Sequence, residues 1–205
     1  SYFSIDKKTG RSVDSAIIRG SVFSDDISAY DLIQQEYCIS DGDYKNIVNI
    51  IHNACAAMES TSRTFSKNNE EELRDFIIAT LGTHYINSVS GETFRKIGKT
   101  DIHVMFDNKA AFIGECKIWH GIKKFNDAIE QLFGYSTWKD TKTALIVFNK
   151  ENKDFSAIRK SVKTWIESNA KRYEIMNSNI WSCILHRDDT NTDVRVAIAL
   201  YDLAV

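Results

Sequence analysis

The sequence predicts a mixed α/β domain, a central mixed sheet of about four to six strands flanked by helices. Three observations predict it. Apolar runs of strand length stand at residues 102–106, 111–119 and 143–149. Apolar side chains recur at helical spacing in 70–81, 122–138 and 153–170. Between residues 70 and 149 the two kinds of segment follow in the order helix, three strands, helix, strand. The chain has 205 residues, 43% of them hydrophobic, which suffices for one substantial core.

Taken in order, residues 1–43 are mixed, with a candidate strand at 16–23 and a candidate helix at 29–37. From 43 to 58, Ile47, Ile50, Ile51, Ala54 and Met58 share a helical stripe, and His52 lies away from it. A polar break at 60–67 marks the expected boundary between a mainly helical N-terminal extension, 1–67, and a core domain, 68–205. Asn68 or Asn69 caps the next helix, whose first turn holds Glu70, Glu71 and Glu72, where the helix dipole favours acidic groups. Capping accounts for most of that charge. Leu73, Ile77 and Leu81 form the inward stripe, however, and Glu70 continues it one turn back.

Residues 86–94 read as a strand and 95–99 as a basic turn; Glu92 and His103 lie near the centre of the chain's chemistry but read as surface and structural groups. The runs 102–106 and 111–119 then flank Asp107-Asn108-Lys109, the pattern of a β-hairpin. Glu115 and Lys117, two apart on one strand, project the same way. A three-residue loop of Asp107, Asn108 and Lys109 places Asp101 opposite Glu115, whereas a two-residue loop places it opposite Cys116 on the other face. The expectation is the odd-numbered loop. Two carboxylates and an ammonium then meet on one face. A solvated ion pair explains this poorly, because Phe112, Ile113 and Gly114 run directly into Glu115, and a buried charge needs a partner. Two hard carboxylate oxygens side by side suit Mg²⁺ or Mn²⁺.

After Trp119, His120-Gly121 breaks the strand and 122–138 reads as a helix that buries Phe125, Ala128, Ile129 and Leu132. Gln131 and Tyr135, four apart, share a face beside that stripe. The continuous apolar run 143–149 marks a buried central strand. A helix over 153–170 follows, through Phe155, Ile158, Val162, Trp165 and Ile166, then strands at 180–186 and 194–203 around a turn.

Charge and cysteine content narrow the function classes. The net charge of −2 excludes a uniformly basic nucleic-acid binder. Residues 95–172, however, carry 16 basic against 9 acidic side chains, so the positive surplus lies around the candidate site. Cys38, Cys55, Cys116 and Cys183 are scattered without zinc spacing, which predicts buried thiols in a reducing, cytoplasmic setting. Cys116 should point away from Glu115 and pack. No apolar run approaches the roughly 18 residues of a membrane span.

The order Asp101, turn, Glu115-Cys116-Lys117 resembles the catalytic signature of the PD-(D/E)XK, or restriction-endonuclease-like, nuclease superfamily, with Thr100 where a proline often stands. Gln131-x-x-x-Tyr135 just after it resembles the motif of that superfamily's RecB-like exonuclease branch. The resemblance covers about 80 residues and implies an αβββαβ core and metal-dependent hydrolysis of nucleic acid, DNA foremost, leaving a 5′-phosphate. It implies that Asp101 and Glu115 hold Mg²⁺ or Mn²⁺, with Glu70, or second Glu71, adding an acidic ligand. Lys117 would act on water or phosphate, and Gln131 and Tyr135 would orient groups near the DNA. Bacterial restriction or anti-phage defence is the implied context, with a homo-oligomer or a partner defence protein as further partners. The alternatives are a catalytically silent nucleic-acid-binding or assembly module, and a metal-free structural domain. The last of these would leave Asp101 and Glu115 exposed and pointing apart.

Overall fold

The computed structural model describes residues 39–86, 88–95, 98–106, 109–135 and 142–205, with the backbone alone at 92–95, 98–100, 106 and 109–111. The strand expected at 16–23 and the helix expected at 29–37 lie outside the described residues. From Ile39 onward the described chain belongs to one compact unit, and position 67, the expected boundary, falls inside it.

Helix α1 (Asp41–Ser60) starts where Ser40 accepts the amide of Asp43 at 3.0 Å. Tyr44, Ile47, Ile51, Ala54 and Met58 form its buried stripe. His52 is not turned away as expected: it flanks the stripe and its Nδ1 lies 3.1 Å from the Tyr201 hydroxyl. The polar break holds a single helical turn, α2 (Ser62–Phe65). Helix α3 (Glu70–His84) opens on Asn69, which forms a capping box with Glu72 and so satisfies two helix-end amides at once.

Strands β1 (Val89–Arg95), β2 (Gly98–Phe106) and β3 (Lys109–Ile118) form an antiparallel meander. Gly121, at φ +96°, then turns the chain into α4 (Ile122–Tyr135). Residues 136–138, the expected end of that helix, lie outside the described residues. Next come β4 (Lys142–Asn149), α5 (Phe155–Asn169), β5 (Ala170–Asn177), β6 (Ile180–Arg187) and β7 (Thr192–Asp202). One mixed sheet results, in the order β1-β2-β3-β4-β7-β6-β5, with β4 parallel to both its neighbours. Helices α1 and α3 pack on one face and α4 and α5 on the other. Burial of seven of β4's eight residues follows from that double cover.

Two expectations need correction. The sheet has seven strands rather than four to six, because β5 was not expected. It is an edge strand exposed along most of its length, so it lacks the apolar alternation that marks a half-buried strand. The hairpin loop also differs. Phe106 pairs with Lys109, leaving two residues between the strands, and the register shifts by one between Met105↔Ala110 and Val104↔Phe112. The extra residue, Ala111, is a β-bulge that restores the register which an odd loop would have given. Ile102 pairs with Gly114, so Asp101 falls opposite Glu115.

Candidate functional site

Glu115, Lys117, Leu145 and Val147 share the sheet face covered by α4 and α5, because Glu115 pairs with Leu145 and Lys117 with Val147. Cys116 points the other way, into the core beneath α1 and α3. Its backbone amide still serves the site by donating to Asp101 Oδ2 at 3.0 Å. Glu115 is fully buried. The Lys117 ammonium lies 2.7 Å from Glu115 Oε1 and 3.1 Å from Glu70 Oε1. Glu70 Oε2 accepts the Ile118 amide at 3.0 Å. The capping box fixes the start of α3 so that Glu70 reaches the end of β3, whereas Glu71 and Glu72 face solvent. Asp101, Glu115, Lys117 and Glu70 therefore meet in space, although 44 residues of chain separate Glu70 from Glu115. Glu115 is buried, where the metal-free structural reading expected it exposed.

No protein-family model, curated protein or solved structure matches this chain. Its chemistry has to be read from these side chains.

The electrostatics are those of crowded acids. Burial, and next the charge of Asp101, pushes the Glu115 carboxyl up to about 7 against the pull of Lys117. Burial also raises Asp101, opposed by the Cys116 amide and by Lys117. For Lys117 burial works against the charge, but Glu115 first and then Glu70 outweigh it and hold the ammonium above its ordinary value. The Lys117 ammonium meets Oε1 of Glu115 at 2.7 Å, and Oε2 meets no donor. Lys117 is the counter-charge to this buried carboxylate, and one of its oxygens is left over. The donors present, hard carboxylate oxygens, fit Mg²⁺ or Mn²⁺. Among the described residues no three His, Cys, Asp or Glu side chains gather as a cage, since the Lys117 ammonium stands between Glu115 and Glu70.

His103 shares the face of Asp101, two residues along β2, and is buried. Position 92 falls across from Asp101 in the β1–β2 register, and the Glu92 side chain lies outside the described set. Gln131 and Tyr135 do meet, the Gln131 amide donating to the Tyr135 hydroxyl. Gln131 lines a cleft that also contains Glu70 and Lys117.

Arg74 was not among the expected residues. It is 7% exposed, four residues after Glu70 on α3, and its Nη1 lies 3.8 Å from Asp101 Oδ1. Nε and Nη2 donate to Asp75 at 3.0 and 2.9 Å. The i,i+4 spacing from Glu70 was the available signal, because both positions then border one stripe. After the Cys116 amide and Lys117, Arg74 makes the smallest contribution that opposes the raising of the Asp101 carboxyl by burial. Arg74→Met should therefore move the acid limb of any pH–activity profile upward, while Arg74→Lys should leave it in place. A purely structural arginine would instead scale the rate equally at every pH.

Proposed function

We propose that the protein is a divalent-metal-dependent nuclease of the PD-(D/E)XK kind, hydrolysing phosphodiester bonds in DNA before RNA. One observation carries this reading. Glu115 is fully buried with Oε2 unsatisfied, facing Asp101 and paired through Oε1 with Lys117, and Glu70 arrives from a separate helix. The order α3-β1-β2-β3-α4-β4 supports it, being the core order that the resemblance implies.

Asp101 and Glu115 would hold Mg²⁺ or Mn²⁺, with Glu70 completing the site directly or through water. When bound, the ion lowers the pKa of water and offsets charge on the phosphate. Lys117, charged and about a quarter exposed, is placed to orient an attacking water or to donate to a phosphate oxygen as negative charge builds there. Glu70 holds both Lys117 and the Ile118 amide, which fixes the ammonium against the end of β3. The Gln131 amide donates to the Tyr135 hydroxyl, and the pair would orient groups near the DNA. A 5′-phosphate product and a role in restriction or anti-phage defence are what the resemblance adds.

The test is cleavage of linear duplex, circular and single-stranded DNA in Mg²⁺, Mn²⁺ or EDTA. Wild-type protein should cut only with metal, and Glu115→Ala should lose about a hundredfold or more. An active enzyme whose Glu115→Ala variant cuts normally would remove the site assignment. DNA binding without cleavage in any metal would favour a catalytically silent binding or assembly module.

A further inference from the structure

Beside Lys117 a cleft of about 180 Å³ lies between the end of β3 and α4. Its floor is apolar and aromatic, formed by Trp119, Phe125 and Val147. It is also lined by Lys117, Lys124 and Gln131, and by the Glu70 and Asp127 carboxylates that pair with the two lysines. Trp119 is anchored through its backbone. Its amide donates to the Phe148 carbonyl at 2.8 Å, and its partly exposed ring lies 6.2 Å from that of Phe125. Phe125 is backed in turn by Trp165 at 5.1 Å, edge to face. Lys124 pairs with Asp127 at 3.3 Å, and such an exposed pair is weak enough to be exchanged for a phosphate.

The partly exposed Trp119 ring beside two ammonium groups matches one nucleotide, the base on the ring and the phosphates on the lysines in place of Glu70 and Asp127. The cleft is smaller than the roughly 300 Å³ at which drug-sized pockets begin, so it takes a single unit. A base inside a duplex is stacked and paired and cannot enter without leaving the helix. We propose that this cleft seats one unpaired nucleobase of a DNA strand whose phosphate lies at Lys117, so the site takes single strands, overhangs or frayed ends. The placing of that phosphate rests on the nuclease reading; the binding of the base does not.

The experiment is fluorescence anisotropy in EDTA, where no cleavage occurs, with a single-stranded oligonucleotide of roughly ten nucleotides and the blunt duplex of the same sequence. Wild-type protein should prefer the single strand about tenfold, the scale of one base–aromatic contact. Trp119→Leu should lose that preference, Trp119→Phe should keep most of it, and Lys124→Ala should weaken both ligands with a shallower salt dependence. Equal binding of the two DNAs, or an unchanged preference in folded Trp119→Leu, overturns the proposal. Should Trp119→Leu fail to fold, quenching of the Trp119 signal by the oligonucleotide, taken as wild type minus Trp119→Phe, decides the same point. A Trp119-dependent preference without metal-dependent cleavage upholds the inference and removes the nuclease reading. Metal-dependent cleavage with no such preference does the reverse.

Discussion

In metal-free buffer at about pH 8, Glu115→Gln should unfold at a temperature several degrees above that of the wild-type protein, and the gap should close toward about pH 5. Glu115 titrates near 7 when folded and near its ordinary 4.5 when unfolded. Between those values the folded state holds a proton that the unfolded state has lost, so wild-type stability falls as pH rises through that window. Below the window both states are protonated, and the penalty is absent. The shift corresponds to on the order of 3 kcal/mol at full ionisation. Glutamine carries no charge to desolvate, and Lys117 keeps Glu70 as a partner. Mg²⁺ or Mn²⁺ should then invert the order. An ion bound only by the folded wild type raises its stability by mass action, whereas the variant has lost a ligand. Thermal melts with and without metal at both pH values check all four corners. A Glu115→Gln variant that melts below wild type at the higher pH without metal would show that Lys117 already satisfies the carboxylate.

How much of this was legible in the sequence depends on which interactions are local. Strand alternation placed Glu115 and Lys117 on one face, and the cap together with the Leu73–Ile77–Leu81 stripe selected Glu70 over Glu71. Both signals need only a few neighbouring residues. The facing of Asp101 and Glu115 was expected for a different reason from the one found. The loop is even and the bulge at Ala111 makes up the difference, and a small residue between other apolar residues gives no sign of a bulge. Strand β5 was missed because Lys171, Arg172, Tyr173 and Glu174 are exposed in succession, so no face alternates. Arg74 was missed because its burial depends on β2 crossing beneath α3, a tertiary fact. The same holds for the depth of Glu115. The apolar approach through Phe112 and Ile113 indicated burial, but complete burial comes from helix α4 packing over that face with strand β4 flanking β3.

Lys117→Met should abolish cleavage and also destabilise the protein, by about 3 kcal/mol near neutral pH. The loss has two separable parts. The ammonium is the group placed to meet water or phosphate, and it is also the counter-charge to a fully buried carboxylate at 2.7 Å. Removing it drives the Glu115 carboxyl above its already raised value, so the window in which stability falls with rising pH extends upward past 7. Protonation of Glu115 limits the cost, and the variant should therefore regain much of its stability in mild acid. Adding Glu115→Gln to Lys117→Met removes the stranded charge. The double variant should recover most of the lost stability, with a coupling of about 1–3 kcal/mol between the two positions, yet remain inactive. Denaturant melts of the four proteins give the coupling, and cleavage assays on the same samples give the activity. Stability losses that simply add would mean that Lys117 does not hold Glu115 in the folded protein. A Lys117→Met variant that still cuts would leave the ammonium with a structural role alone. Recovery of stability without recovery of cleavage would separate the two jobs of one side chain: holding a buried acid in place, and facing the phosphate.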